Sequence, residues 1–440
     1  MFRRTVITLA IASLAFSTAK AENLAPASLP KVETLGSWVA PALPPLEVVM
    51  PLLTNSTRVQ TGLEQKKIEQ ANSRLSQQSP YEWEALVATR HRNERLQNLS
   101  QQDYEIGFSR TVRIGSKAKI DQQMSGQYGE LAHLTAADAW HETARTLNDY
   151  WFELRYQKAR VALLHQLADA TLTFSKQQQR RFELGEISAT DSQQSKLDYQ
   201  AQLAQLQAAQ LDEQRAAAAL QEQFPGSSAL IQVQPAPQSM ENWLEEPLLT
   251  DSEQKNWIDR MIEENHGLDL ARVQSDLAAS QASRRAAEKL ADPTLALTYS
   301  RERNNAEQIL GLQVNFPIGG AKRSELALQA QSQAEQFRLA FELANRGART
   351  QATLTTQAYT QAAAAWKIYA STQQAQLDLF QKQLRAYSLS EISQFELQAA
   401  RLRTAQVQLD ALKARLDAEK AAARLLIDSH VLWAAPESIE

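Results

Sequence analysis

The chain has 440 residues, of which 22% are charged, with a formal net charge of −4 at pH 7 and no cysteine. This charge balance gives no basic surface for nucleic acid, and the lack of cysteine excludes disulfides and thiolate metal sites. The chain begins with a pattern typical of an export signal: Arg3 and Arg4, an apolar run over residues 6–16, and Ala-Lys-Ala at 19–21. We therefore predict a signal peptide over residues 1–21.

Proline marks two segments that we interpret as connectors. Residues 22–50 contain Pro26, Pro30, Pro41, Pro44 and Pro45 and are predicted to form an extended N-terminal arm. Residues 232–249 contain Pro235, Pro237 and Pro247 and are predicted to link the two halves of the chain. A helix is expected after each connector, over about residues 52–75 and 265–290.

Hydrophobic residues alternate with polar or small ones in two segments, which predicts four strands. The first pair is expected at about residues 81–89 and 104–114, joined by a polar loop, and the second at about 294–301 and 309–317. Strands of this pattern have one apolar face and one polar or small face. A half-buried sheet in a soluble protein is the common case for such strands.

Three features favour a sheet that faces lipid instead. The predicted strands are about 9 to 11 residues long, which suffices to cross a bilayer at a tilt. The chain begins with a predicted export signal, and aromatic residues lie towards the strand ends: Tyr81, Trp83, Tyr104, Tyr299 and Phe316. The predicted lipid-facing residues are Trp83, Ile106, Phe108, Leu295, Leu297, Leu312 and Val314. Because four strands cannot satisfy their edge N–H and C=O groups in hydrocarbon, several copies of the chain would have to close a barrel together.

Long proline-free helices are predicted over about residues 131–183, 188–224, 322–387 and 393–428. Their apolar residues form narrow stripes, which are typical of coiled-coil seams. In the second helix the predicted seam contains Leu197, Ala201, Ala204, Ala208, Leu211 and Ala218, and in the last helix Leu402, Ala405, Leu409, Leu412 and Leu416. An antiparallel coiled-coil scaffold without a barrel remains the alternative at this point.

An octapeptide recurs between the paired helices. Arg-Phe-Glu-Leu-Gly-Glu-Ile-Ser at 181–188 returns as Ala-Tyr-Ser-Leu-Ser-Glu-Ile-Ser at 386–393, a shift of 386 − 181 = 205 positions. We predict an internal two-fold repeat, with repeat 1 at 51–231, repeat 2 at 250–430 and a C-terminal tail at 431–440. The predicted fold class is mainly α, with long antiparallel helical hairpins and four strands that contribute to a membrane β-barrel.

The chain resembles the TolC family of outer-membrane efflux proteins in several motifs. They are Asp-Pro-Thr-Leu-Ala-Leu-Thr-Tyr at 292–299, Gly-Leu-Gln-Val-Asn-Phe-Pro-Ile-Gly-Gly at 311–320 followed by Lys322 and Arg323, and the two octapeptides. The residues at 425–433, Leu-Leu-Ile-Asp-Ser-His-Val-Leu-Trp, resemble the branch of the family that works with heavy-metal efflux pumps.

The resemblance implies a homotrimer in the cell outer membrane. Each protomer would add four strands to a twelve-stranded barrel that touches outer-membrane lipid, above a periplasmic α-barrel. The trimer would be the passive exit duct of a tripartite pump, joined to an inner-membrane transporter of the RND type through a periplasmic adaptor, or membrane fusion protein. The exported solutes would be metal ions or drugs, and the alternative is a periplasmic coiled-coil adaptor or scaffold protein without a membrane barrel.

The resemblance also implies roles for residues at the helix turns. Two sets would form the adaptor-docking helix tips: Leu184, Gly185, Glu186, Ile187 and Ser188, and Leu389, Ser390, Glu391, Ile392 and Ser393. Tyr387 and Glu396 would belong to a periplasmic gate, whereas Ile392 and Ala399 depart from the arginine and carboxylate that the family can have there. Glu396 is either a selective charge in a pore or a solvated helix residue.

Glu186 and Glu391 follow the helix turns, where a carboxylate either caps the next helix or contacts a partner. No catalytic, cofactor or metal site is expected elsewhere in the chain. The six histidines include no pair three or four residues apart, and no zincin motif, phosphate loop or nucleophile elbow is present.

Overall fold

A computed structural model describes residues 43–94, 99–232, 249–436 and 439. The predicted signal peptide and most of the predicted arm and linker lie outside these ranges. The helices and strands in chain order are α1 (Leu46–Thr54), α2 (Thr57–Gln77), β1 (Glu84–Glu94), β2 (Leu99–Thr111), α3 (Lys117–Glu183), α4 (Ala189–Gln223), α5 (Ser228–Gln232), α6 (Asp251–Glu263), α7 (His266–Ala287), β3 (Thr294–Glu302), β4 (Glu307–Asn315), α8 (Ala321–Ser388) and α9 (Gln394–Asp428).

The described chain divides into two compact units. One contains α1 with Ala144–Met261 and Ala352–Ala434, and the other contains Thr57–Thr143 and Ile262–Gln351. The same order of elements occurs twice along the sequence: a helix, a strand pair, a very long helix and a shorter helix. The very long helices α3 and α8 have 67 and 68 residues, and α4 and α9 have 35 residues each.

Alanine and leucine side chains pack together in two core clusters of the first unit. One cluster joins Leu164 and Leu167 of α3 to Leu206 and Ala209 of α4 and Ala405 of α9. A second joins Trp366 and Ala370 of α8 to three alanines of α9, which are Ala411, Ala414 and Ala418. Small side chains at these contacts let the helices approach closely, as expected for coiled-coil packing.

The predicted seam of α4 is wrong, although that of α9 is close. In α4 the buried residues are Ser192, Ser195, Leu206, Ala209, Ala216 and Leu220, whereas Leu197 and Leu211 of the predicted seam are exposed. In α9, Ala405 and Leu416 of the predicted seam are buried. Helix α4 carries apolar side chains on more than one side, so periodicity alone could not select the stripe that faces the core.

Helix α3 begins at Lys117, fourteen positions (131 − 117 = 14) before the predicted start. Its first turns bury Lys117, Asp121 and Ser125, which are spaced four residues apart on one face. The buried stripe is polar here, so a search for apolar periodicity misses it.

The N-terminal arm was predicted to be extended to residue 50, which is also wrong. Helix α1 starts at Leu46, directly after Pro45 at its N-cap, and buries Val49, Leu52 and Leu53. The chain turns at residues 55 and 56 before α2 begins, so the helix predicted over 52–75 is divided in two.

The four strands of the second unit form one antiparallel sheet in the order β1-β2-β3-β4. The first hairpin is longer than predicted: Glu94 pairs with Leu99, and β2 ends at Thr111 rather than at residue 114. Strand β1 begins at Glu84 rather than at Tyr81, and β4 runs from Glu307 to Asn315 instead of over 309–317. No helix in the described ranges is long and apolar enough to cross a membrane.

Candidate functional site

The sheet has two chemically different faces. Because the register is unbroken, every second residue of each strand lies on the same face. One row on the first face is Ala85, Phe108, Leu297 and Leu312, and the next is Val87, Ile106, Tyr299 and Leu310. Leu295 and Val314 pair on this face as well. We call it the apolar face.

The apolar face is exposed to solvent. The exposed fractions are 82% for Val87, 78% for Leu312 and 52% for Leu297. The strand residues predicted to face lipid all lie on it, and Trp83, one residue before β1, continues its alternation. Val87 and Leu310, which that prediction omits, are also strongly exposed. Such a continuous exposed apolar surface marks an interaction with lipid or with another protein.

The opposite face, which we call the polar face, carries ion pairs at the end of the sheet where β3 turns into β4. Arg92 of β1 contacts Asp103 at 2.9 Å and Glu302 at 2.8 Å. Arg90 pairs with Glu105. These pairs explain why the first hairpin extends beyond the apolar alternation, since they stabilise a stretch in which hydrophobic periodicity is absent.

Two glycines on the polar face flank the side chain of Thr298. Gly107, Thr298 and Gly311 lie side by side in one row. A Cβ at Gly311 would lie 2.7 Å from Thr298 Oγ1, and a Cβ at Gly107 would lie 3.0 Å from Thr298 Cγ2. The two glycines therefore leave room for the Thr298 side chain between them.

A buried ion pair fixes the strands to the helices at the other end of the sheet. Lys117 Nζ lies 2.6 Å from Asp292 Oδ1, and their side chains are 1% and 4% exposed. Asp292 also accepts hydrogen bonds from the backbone N–H of Ile114 at 2.9 Å and from the Tyr81 hydroxyl at 2.9 Å. Tyr81 thus binds at the base of the sheet rather than extending β1 as predicted.

Burial and hydrogen bonding act in opposite directions on the pKa of Asp292. Burial raises the pKa, but the hydrogen bonds from Lys117, Ile114 and Tyr81 stabilise the carboxylate and together hold the pKa below its usual value. Burial, and then the hydrogen bond to Asp292, raise the pKa of Tyr81. The carboxylate therefore stays ionised and Tyr81 stays a donor at neutral pH.

The two helix turns singled out from the sequence have the same backbone structure. Gly185 and Ser390 have positive φ angles of 76° and 60°. Gly185 N–H donates to Phe182 and Glu186 N–H to Arg181, and Ser390 N–H donates to Tyr387 and Glu391 N–H to Ala386, all at 2.9 Å. This is the Schellman pattern that ends a helix.

Serines, rather than Glu186 and Glu391, cap the helices that follow the turns. Ser188 Oγ accepts from Asp191 N–H at 3.1 Å, and Ser393 Oγ accepts from Glu396 N–H at 3.2 Å. The Glu186 carboxylate instead contacts Arg181 Nε at 3.0 Å. The Ser-x-x-Asp and Ser-x-x-Glu spacings are a capping signature that the sequence analysis missed.

Glu396 completes a capping box. Its carboxylate accepts from Ser393 N–H at 2.6 Å, which lowers its pKa. Tyr387 lies in the last turn of α8, and Glu396 lies in the first turn of α9. Their assignment to a gate stays a prediction.

The remaining tip residues differ in exposure. Leu184 and Leu389 are exposed, whereas Ile187 and Ile392 are partly buried. Ile392 packs against Phe380, Leu397 and Ala400, so it anchors the turn to the helices. The isoleucine at this position, where the resembled family can have an arginine, therefore has a packing role.

Gln394 connects the ends of α3 and α9. Its side-chain amide donates to Gln177 at 2.6 Å, and its carbonyl oxygen accepts from Gln178 at 2.7 Å. Phe174 and Phe395 meet edge to face with ring centroids 5.3 Å apart. Gln394 was not predicted, because nothing in a single sequence distinguishes it from the many exposed glutamines of these helices.

The rings of His141 and His266 lie edge to face, with centroids 6.3 Å apart. Within the described ranges, no group of three or more histidines and carboxylates is placed to hold a metal ion.

The chain has the fold of the TolC-type outer-membrane channels. It is similar to the CmeC outer membrane channel of Campylobacter jejuni, with 11% identity over 93% of this chain and 95% of that chain and a TM-score of 0.70. It is also similar to the outer membrane protein VceC of Vibrio cholerae, with 13% identity, coverage of 87% and 95%, and a TM-score of 0.67. The open MtrE outer membrane channel of Neisseria gonorrhoeae has 13% identity, coverage of 87% and 88%, and a TM-score of 0.63.

No protein-family model matches the sequence, and no curated protein matches it. At these low identities the likeness establishes the fold. The predicted combination of long helical hairpins with a four-stranded sheet is thereby confirmed. The trimer and the internal repeat stay predictions.

Proposed function

We propose that this protein is the outer-membrane channel of a tripartite efflux system and has no chemistry of its own. It would be a passive exit duct for solutes that an inner-membrane pump expels. In this proposal the sheet lies in the outer membrane, and the long helices form the periplasmic part of the duct.

The observation that carries the proposal is the exposed apolar face of the sheet. Leaving a large apolar side chain in water costs about 1.5–3 kcal/mol relative to burying it. Lipid removes this cost across the whole face. The polar face would then line the interior of the barrel, where the glycines beside Thr298 leave room for its side chain.

The free edges of the sheet support an oligomer. In the described part of the chain, β1 pairs only with β2 and β4 only with β3. Unpaired edges are not tolerated in hydrocarbon, so other copies must supply the missing strands. Exposed apolar residues on α8, such as Leu328, Leu343 and Ile368, fit contacts between copies as well. The expectation of three copies comes from the family resemblance.

The helix turns are the proposed docking ends for the periplasmic adaptor. Leu184 and Leu389 offer exposed apolar side chains there, on turns that the Schellman bonds and serine caps hold in a defined shape. Tyr387 and Glu396 are the proposed gate residues near these turns. An inner-membrane transporter of the RND type would complete the pump.

Metal ions or drugs are the proposed solutes. The motif at 425–433, which resembles the heavy-metal branch, has a packing role: Leu425 and Leu426 are fully buried. Asp428 of the same motif pairs with Arg145 at 2.7 Å. The similarity of this motif to the heavy-metal branch therefore indicates common ancestry and does not indicate that these residues bind a metal.

Membrane fractionation distinguishes the channel from the alternative, a periplasmic coiled-coil adaptor or scaffold. We expect the protein in the outer-membrane fraction, extracted only by detergent and migrating as an oligomer. A known soluble periplasmic protein should leave the same cells on osmotic shock and serves as the control. Recovery of the protein with that control, as a monomer, would contradict the channel.

A further inference from the structure

Charge is distributed unequally between the two faces of the sheet. Within the described strands, every aspartate and glutamate lies at a polar-face position: Glu84, Glu94, Asp103, Glu105, Glu302 and Glu307. The apolar face of these strands has no carboxylate but has two arginines, Arg110 and Arg301. The face proposed to contact lipid is therefore positive wherever it carries a full charge.

The two arginines lie at opposite ends of the apolar rows. Arg110 pairs with Leu295, and its guanidinium carbon lies 5.2 Å from the ring centroid of Trp83. Arg301 pairs with Tyr104 and lies six residues (301 − 295 = 6) further along β3, which is about 20 Å along the strand. Barrel strands tilt, so the distance across the membrane is shorter, but long arginine side chains extend from such positions to the headgroups. Each arginine therefore fits a different headgroup level.

The connections of the strands indicate which end of the sheet faces outward. Helix α7 leads into β3, and β2 and β4 lead into α3 and α8, all at the end of the sheet that contains Arg110. The hairpin turns and Arg301 lie at the opposite end. With the helices in the periplasm, as proposed above, Arg301 lies at the level of the outer leaflet. The lipid of that leaflet in a Gram-negative outer membrane is lipopolysaccharide, whose lipid A anchor carries phosphate groups.

Other arginines near the hairpin turns have carboxylate partners within the chain. The pairs are Arg90 with Glu105, Arg92 with Asp103 and Glu302, and Arg303 with Glu307. These carboxylates lie on the polar face. Arg301 is on the other face and forms no ion pair in the described part of the chain. A charged side chain at a membrane boundary needs a partner, so its anion is expected to come from outside the chain.

The side chain of Arg301 is arranged to accept a phosphate. It is exposed, and its Nε donates a hydrogen bond to the Tyr299 hydroxyl at 3.0 Å. This contact leaves the fork of terminal nitrogens for two parallel hydrogen bonds to phosphate oxygens. The cross-strand neighbours of Arg301 are Tyr104 and Gln308, which are also exposed and add neutral donors on the same face.

We propose that Arg301 binds a phosphate group of lipid A in the outer leaflet, with Tyr104 and Gln308 as additional hydrogen-bond donors. The inference rests on the proposed function, because it requires the apolar face to lie in lipid and the helices to lie in the periplasm. The absence of carboxylates from the described strands on this face supports it, since a carboxylate there would repel the phosphate.

Binding of lipid A to the purified wild-type oligomer tests the contact. The oligomer in detergent is titrated with bisphosphorylated lipid A and, separately, with lipid A from which both phosphates have been removed. Native mass spectrometry counts the bound lipid. We expect the phosphorylated form to bind at least about tenfold more tightly, because hydrogen bonds between charged groups contribute this much. Equal affinities for the two forms would overturn the proposal, and this measurement needs no variant.

Arginine substitutions locate the phosphate. Arg301→Gln should lower the affinity for phosphorylated lipid A by about tenfold and leave the affinity for the dephosphorylated form unchanged. Arg301→Lys, which keeps the charge but loses the fork, should retain part of the binding. The matched control is Arg303→Gln, which removes the same charge from the same hairpin but from a side chain paired with Glu307. It should bind lipid A like the wild type.

Two results with these variants would contradict the site. Unchanged affinity in Arg301→Gln, or an equal loss in Arg303→Gln, would show that Arg301 does not hold the phosphate. A greater loss in Arg110→Gln than in Arg301→Gln would place the phosphate at the other end of the sheet.

The outcomes separate the two proposals. A wild type recovered as a soluble monomer contradicts the channel and with it the lipid contact. An oligomer extracted from the outer membrane that binds both forms of lipid A equally overturns the lipid A site and leaves the channel proposal standing.

Discussion

At the scale of single residues, Lys117 and Asp292 join four separate parts of the second unit. Lys117 is the first residue of α3, Asp292 precedes β3, and the partners of Asp292 are Tyr81 before β1 and Ile114 after β2. Lys117 Nζ also donates to the carbonyl of Leu290 at 2.7 Å. Removing one partner of such a buried pair leaves an uncompensated charge, which costs about 3–5 kcal/mol.

The pair predicts a specific pH dependence of stability. Because the pKa of Asp292 is lowered in the folded protein, its contribution is complete above the usual carboxyl pKa near 4 and is lost as the pH falls through the lowered value. In thermal unfolding, Asp292→Asn should therefore be less stable than the wild type at pH 7. The difference should shrink below about pH 4.

An exposed ion pair provides the control. Glu130 contacts Arg272 at 2.7 Å with both side chains more than two-fifths exposed, at 47% and 42%. Glu130→Gln should change stability by less than about 1 kcal/mol. A stability difference between Asp292→Asn and the wild type that does not vary with pH would mean that the carboxylate does not act through its ionisation.

At the scale of elements, the two helix turns share one backbone structure but differ in its central residue. The left-handed position is Gly185 in the first turn and Ser390 in the second. A side chain in this conformation costs roughly 1–2 kcal/mol, which glycine avoids. The second turn therefore forms the Schellman hydrogen bonds even though Ser390 has an unfavourable backbone conformation.

Exchange of these residues should shift local opening in opposite directions. Ser390→Gly should slow amide hydrogen exchange at Glu391 by about fivefold, which corresponds to roughly 1 kcal/mol. Gly185→Ala should accelerate exchange at Glu186 by a similar factor. Each turn serves as the internal control for the other, and equal rates in Ser390→Gly and the wild type would show that Ser390 stores no strain.

The elements also show where sequence reasoning succeeds and where it stops. The ends of α4, α8 and α9 fall within one or two residues of prediction, because turn residues and proline-free Ala/Leu patterns mark them. Periodicity fails where the buried stripe is polar, as in the first turns of α3, and where ion pairs hold strands together, as at Arg92. Those features depend on distant partners such as Asp292 and Glu302, which a local pattern does not contain.

At the scale of the whole molecule, both the sheet and the helices present apolar side chains that the single chain leaves uncovered. The sheet exposes Val87 and Leu312, and the helices expose residues such as Leu197 on α4 and Leu343 on α8. Lipid can cover the apolar face of the sheet, and neighbouring copies can cover the helices. The proposed oligomeric channel accounts for both surfaces, whereas a soluble scaffold would leave the sheet in water.

Charge on one face of the sheet tests this assignment directly. Leu312 and Gln313 are adjacent in β4 but point to opposite faces, paired with Leu297 and Ala296. Arginine on a lipid-facing strand costs about 2–4 kcal/mol near the middle of the bilayer. Leu312→Arg and Leu297→Arg should therefore reduce the amount of assembled oligomer in the outer-membrane fraction, whereas Gln313→Arg should leave it close to the wild-type level. Equal tolerance of all three variants would mean that the apolar face does not contact lipid, and a defect confined to Gln313→Arg would mean that the faces are reversed.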